Sequence, residues 1–120
     1  MAEIRFEKVK KRFKDIVVIK ELDLTINDGE FFTFVGPSGC GKSTILNMIA
    51  GLESVTEGRI CFDDTAVNAL SPKERDVAMV FQSYALYPHM SIHENIAFPL
   101  KMKKAEKEFI ENEVKRVAAL

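Results

Sequence analysis

Long apolar runs, a surplus of charge of one sign and a set of paired cysteines are all missing from this 120-residue chain. No stretch approaches the ~20 consecutive apolar residues of a membrane helix. The opening Met1-Ala2-Glu3-Ile4-Arg5 has no apolar segment of the kind a secretory leader carries. Membrane association is therefore expected only through a partner. Seventeen Lys and Arg against eighteen Asp and Glu leave a net charge of −1, which removes any general attraction to nucleic acid or to anionic lipid. The two cysteines, Cys40 and Cys61, point to reduced thiols in a cytosolic protein and not to a disulfide framework. Cys40 reads as a small residue at a tolerant loop position. An Asn-Lys-x-Asp guanine reader is absent, and the arginines are scattered, without the clustering expected of a small-kinase lid. There is no internal repeat and no low-complexity segment. With 47% hydrophobic residues the chain can build a modest core.

What is present centres on residues 36–44, Gly-Pro-Ser-Gly-Cys-Gly-Lys-Ser-Thr, which satisfy G-x-x-x-x-G-K-[ST]. The apolar run 31–35 before them reads as a buried strand. Residues 45–50 after them read as a helix ended by Gly51. Strand, glycine loop and helix are the context that separates a phosphate cradle from a chance match in a glycine-rich turn. A triphosphate needs many donors close together. Gly36, Gly39 and Gly41 let the loop turn its N–H groups inward, and the helix adds unpaired N–H groups and the positive end of its dipole. Pro37, Ser38 and Cys40 complete the loop. Lys42 is expected on the β- and γ-phosphates, Ser43 on Mg²⁺, and Thr44 toward the α-phosphate.

Elsewhere the periodicity predicts strands over most of residues 1–30, where Ile4 and Phe6, then Leu22, Leu24 and Ile26, alternate with polar residues. Asp28-Gly29 is a turn. Gly58 precedes another strand at 59–62, and Asp63-Asp64 forms a hairpin turn. Ser71-Pro72-Lys73-Glu74 opens a short helix or turn. Residues 77–80 read as a buried strand. Ser91-Ile92-His93-Glu94 is a capping box opening a helix that should stop near Pro99. From Ala105 to Leu120, the residues Phe109, Ile110, Val114, Val117 and Leu120 fall at helical spacing.

The apolar run at 77–80 delivers Gln82 to a loop rich in aromatics, at the sheet edge where ligands sit in open α/β folds. A neutral amide there could ligate a metal or accept from an attacking water, or be an ordinary loop glutamine. Phe13 is a lone aromatic in a basic segment, Lys8, Lys10, Lys11, Arg12 and Lys14, which by itself reads as a solvated turn.

Residues 36–53 resemble the start of an ABC transporter nucleotide-binding subunit. Residues 75–90, Arg-Asp-Val-Ala-Met-Val-Phe-Gln-Ser-Tyr-Ala-Leu-Tyr-Pro-His-Met, are similar to the Q-loop region of its sugar-importer branch (maltose, multiple-sugar and glycerol-3-phosphate type), as is 94–101. The likeness runs over essentially the whole chain. It implies an α/β fold: a P-loop NTPase core with a mainly parallel sheet and flanking helices, plus an antiparallel β subdomain, here as the N-terminal part of one incomplete ABC ATPase domain. Residues 1–30 and 58–67 would form the antiparallel portion, 31–57 and 76–90 the P-loop core and Q-loop, and 91–120 the start of the helical subdomain. By the same resemblance Gln82 contacts Mg²⁺ and the attacking water, and Phe13 stacks on adenine. The loop after Gln82, with Tyr84, Tyr87 and His89 as contacts or as local packing, borders the membrane permease.

Two ATPase subunits would sandwich ATP head to tail and drive uptake of a solute, a sugar by this resemblance, delivered indirectly by a solute-binding protein. They would work at the cytoplasmic face of the membrane, with no nucleic-acid partner. The alternative is a non-transport ABC-type ATPase of DNA repair or translation. A Leu-Ser-Gly-Gly-Gln signature, an apolar strand ending Asp-Glu and a switch histidine do not occur. His89 and His93 lie too near the Q-loop to serve as that histidine. The fragment alone is therefore expected to be inactive.

Overall fold

The computed structural model describes residues 2–83 and 85–120. The chain divides into two compact units, Met1–Met79 and Val80–Leu120. In the first, β1 (Ile4–Phe13), β2 (Ile16–Ile26), β3 (Glu57–Phe62) and β4 (Thr65–Ala66) form one antiparallel sheet of order β2-β1-β3-β4. Alternation in the sequence sets the register. Phe6 stands opposite Leu24 on one side and Ile60 on the other, so one face of three strands is apolar at the same level. The helix α1 (Lys42–Ala50) brings Ile45, Met48 and Ile49 to that core at helical spacing. Phe6, Val9, Met48 and Ile60 are buried completely or nearly so.

Arg75 completes the first unit in a way its charge does not advertise. Its guanidinium is buried and donates to Met48 O at 2.6 Å, Ile49 O at 3.0 Å and Leu70 O at 3.0 Å. Two of these acceptors are carbonyls of the last turn of α1, where a cation complements the helix dipole. Burial pushes the Arg75 pKa down from its ordinary value. The side chain nevertheless remains charged. Gly51 ends the helix at φ 80°, and a Cβ there would come within 2.8 Å of Arg75 Nε.

In the second unit α2 (Ile92–Met102) and α3 (Lys107–Ala118) pack through Ala97, Ile110 and Val114. The Ser91 capping box is complete: the hydroxyl accepts from Glu94 N at 3.2 Å and Glu94 Oε2 accepts from Ser91 N at 2.7 Å. These bonds to Ser91 hold the Glu94 carboxyl below its usual range.

Two expectations are corrected. The helix does not stop at Pro99, which lies inside α2. A proline removes one N–H bond, but Leu100 packs on the α2–α3 cluster, and Lys103 and Ala105 N–H groups close the helix end on Pro99 O and Leu100 O. Second, residues 31–35 and 77–80 carry no ladder pairing, and Phe31, Val35 and Val80 are almost fully exposed. A buried parallel strand is held by hydrogen-bonded neighbours on both sides, and among the described residues none runs beside these two. Of the short helix or turn expected from Ser71, the structure forms the turn.

β1 is bulged between Phe6 and Val9, with Lys8 at φ 48°. Gly58 of β3, at φ 82°, faces that irregularity, and a Cβ on it would fall on the carbonyl oxygens of Glu7 and Lys8. Gly58→Ala is therefore expected to destabilise the first unit by more than about 1 kcal/mol, seen as a lower urea midpoint.

Candidate functional site

The glycine loop leaves its extended approach and enters α1 through two residues with positive φ, Gly39 at 80° and Gly41 at 100°. Gly41 is also pressed against the β2 strand, since a Cβ there would lie 3.3 Å from Val18 Cγ1. Both facts require glycine and both aim the backbone toward the start of the helix. The first turn of α1 has no side-chain cap and no acidic residue. Its N–H groups and the positive dipole end are therefore open to an anion from outside the chain.

An open cleft of about 280 Å³ lies against this helix start, lined by Val18, Ser38, Gly39, Gly41, Lys42, Ser43 and Thr44. Gly36, Pro37 and Cys40 contribute through Lys42 instead. The Lys42 ammonium donates to Gly36 O and, at 2.7 Å, to Pro37 O, and lies 3.6 Å from Cys40 Sγ. The cation is thus folded over the loop, held by two carbonyls. The donor set suits phosphate: main-chain N–H groups, one ammonium and the hydroxyls of Ser38, Ser43 and Thr44. Among the described residues no group of three or more His, Cys, Asp or Glu could hold a metal ion. A cation here would rely on hydroxyl, amide and phosphate oxygens, which is magnesium chemistry and not zinc chemistry.

Phe13 ends β1 and does not line the cleft; its ring is partly exposed. It is held from one side by Lys11, whose ammonium sits 4.5 Å from the ring centroid. Lys11 is buried, and it donates to Glu53 Oε1 at 2.7 Å and to Ser54 O at 2.6 Å. The bond from Lys11 holds the Glu53 carboxyl below its ordinary pKa. Lys11 sits in the basic run of the sequence but not in a solvated turn. Alternation with Val9 and Phe13 along β1 is the signal that could have placed it on the covered face.

Gln82 lies in the second unit, exposed at a turn. Tyr84 lies outside the described residues. Tyr87 packs on Phe98 with ring centroids 5.0 Å apart and reaches His89 at 6.1 Å. Asn95, passed over in the sequence, ties this loop to α2. Its amide oxygen accepts from Tyr87 N at 2.8 Å, and its NH₂ donates to Tyr87 O, Met90 O and Ser91 O.

Residues 19–119 match the ABC transporter family. The chain belongs to that family. It is 58% identical over 120 residues to the osmoprotective compounds uptake ATP-binding protein GgtA of Synechocystis sp., covering 100% of this chain and 33% of that protein. To the maltose/maltodextrin import ATP-binding protein MalK of Klebsiella aerogenes it is 55% identical over 118 residues, 98% of this chain and 40% of the other. To the sn-glycerol-3-phosphate import ATP-binding protein UgpC of Bordetella pertussis it is 52% identical, with 33% of that protein covered. The ABC chain thus spans roughly a third to two fifths of the length of these curated relatives. Among solved structures it is similar to the dimeric ABC transporter cassette MJ0796, with a TM-score of 0.82 at 34% identity over 97% of this chain and 54% of that one. A post-hydrolysis form of the same cassette, bound to ADP and Pi, gives a TM-score of 0.79 at 32% identity, again over 97% of this chain and 54% of that one. The ABC ATPase fold class expected from the sequence stands on these likenesses. No helix among the described residues is long and apolar enough to cross a membrane.

The Lys11–Glu53 pair gives a pH test. Because the folded pKa of Glu53 is lowered, the pair contributes stability above the ordinary carboxylate pKa, and that contribution disappears as pH falls through the folded value. Glu53→Gln is expected to unfold at lower urea than the parent near neutral pH. The difference should close in acid, as measured by urea titrations across the pH range.

Proposed function

We propose that this chain is the N-terminal part of the ATP-binding subunit of an ABC importer, which binds MgATP and couples its hydrolysis to solute uptake. One observation carries the reading: a glycine-bent loop opening an uncapped helix start, with the Lys42 ammonium folded over it, onto a cleft lined by hydroxyls and main-chain groups. In this reading residues 36–44 bind the phosphates. Lys42 exchanges its loop carbonyls for the β- and γ-phosphate oxygens and so follows the charge that develops on them. Ser43 and Gln82 would hold Mg²⁺, which when bound would neutralise phosphate charge, and Gln82 would orient the attacking water. Phe13 stacks on adenine.

The relatives' names support import, and a sugar or related polyol is the favoured solute. The cassette likeness supports a head-to-tail pair of ATPase subunits. The loop 83–90, held by Asn95, would meet the membrane permease, with a solute-binding protein acting indirectly. In this reading the subunit works at the cytoplasmic face. Residues 1–30 with 58–67 act as the antiparallel portion, 31–57 with 76–90 as the P-loop core and Q-loop, and 91–120 as the start of the helical subdomain.

In the complete polypeptide that carries these residues, Lys42→Ala is expected to weaken MgATP binding at least about tenfold, from the loss of charge-assisted bonds. Calorimetric titration of MgATP measures this, and unchanged affinity would contradict the reading. Residues 1–120 alone should show no steady ATP hydrolysis. Turnover that Lys42→Ala abolishes would refute that part of the proposal.

A further inference from the structure

We infer that Lys11 is a positioning residue for the Phe13 ring and sets how strongly that ring holds a purine base. The inference rests on the reading in which Phe13 meets adenine. Lysine on a strand ordinarily carries its ammonium to water, yet Lys11 is only 5% exposed. Its three donor directions are accounted for. One goes to the Glu53 carboxylate at 2.7 Å and one to the Ser54 carbonyl at 2.6 Å, and the ammonium stands over the Phe13 ring at 4.5 Å. The carboxylate and the carbonyl pin the ammonium, and the pinned ammonium holds one face of the ring. Phenylalanine has no hydroxyl with which to fix itself by a hydrogen bond, so the ring depends on contacts such as this one. At 40% exposure the ring retains accessible area for a ligand.

Two consequences follow from the chemistry. A cation on one face of an aromatic ring draws electron density toward itself, so the ring becomes a better stacking partner for an electron-rich purine on the other face. The same ammonium also joins two parts of the site. Phe13 and Val18 belong to the β1–β2 hairpin, and Val18 lines the phosphate cleft. Glu53 and Ser54 follow α1, whose first turn is the cradle. The Lys11–Glu53 bridge therefore ties the strand that carries the ring to the segment that leaves the far end of α1.

The test separates the base from the phosphates. MgATP and magnesium-bound inorganic triphosphate are titrated against the complete polypeptide and its Lys11→Met, Lys11→Arg, Phe13→Ala and Lys11→Met/Phe13→Ala variants. Lys11→Met is expected to weaken ATP about tenfold and to leave triphosphate within about twofold of the parent. Lys11→Arg, which keeps a cation for the ring, should recover most of the loss. In the Phe13→Ala background Lys11→Met should have no further effect on ATP.

Equal losses for ATP and triphosphate, or the same Lys11 effect with and without Phe13, would overturn the inference. A Phe13→Ala loss with Lys11→Met silent would sink this inference alone. Unchanged ATP affinity in Phe13→Ala would sink the adenine reading beneath it. Thermal unfolding of each variant is followed in parallel. If Lys11→Met does not fold, Glu53→Gln, which releases the ammonium from its anchor, is held to the same ATP-selective outcome.

Discussion

The contact between α1 and the apolar face of the antiparallel sheet fixes where the loop's donors point. A helix start can serve an anion only if its axis is held, and a nine-residue helix is too short to be stable by itself. Met48, fully buried among Phe6, Val9, Ile19 and Ile60, supplies that hold, and Ile45 and Ile49 extend it. Truncating such a side chain typically costs about 2–5 kcal/mol. At the other end of the helix Arg75 satisfies two carbonyls, so the C-terminal end is closed by a cation of the chain and the N-terminal end is open to an anion.

Around this axis the first unit collects the parts expected to meet a nucleotide: the loop, the hairpin bearing Phe13, and the Lys11–Glu53 bridge between them. The second unit is organised differently. Its helices pack through a few small and branched residues, and its loop is shaped by Asn95 and by the contacts of Tyr87 with Phe98 and His89. That economy is appropriate to a segment whose proposed work is to meet another protein. Apolar stretches at 31–35 and around Val80 remain exposed, so the sheet of the ABC fold is only partly expressed by these residues.

The glycine loop and the helix it opens were legible because their requirement is local: glycines at positive φ followed directly by a helix. The antiparallel strands were legible from alternation, as Phe6 and Leu24 show. The helix through Pro99 was not, because its continuation depends on Leu100 packing against a helix later in the chain. Lys11 and Glu53 are 42 residues apart, one on β1 and the other in the turn after α1, so nothing in either neighbourhood announces the pair. Arg75 was visible only as part of a family-like stretch, and its task, closing α1, is set by tertiary position. The strands expected at 31–35 and 77–80 show the converse error. Apolar composition records what a segment would bury, not whether a neighbour is at hand to bury it.

The central claim is that the main-chain donors around Gly39–Thr44 form the phosphate site. A crystal structure of the complete polypeptide with magnesium and a non-hydrolysable ATP analogue tests it most directly. The account predicts phosphate oxygens within hydrogen-bond distance of those N–H groups and of the Lys42 ammonium. A nucleotide bound elsewhere, with Lys42 still on the carbonyls of Gly36 and Pro37, would contradict it.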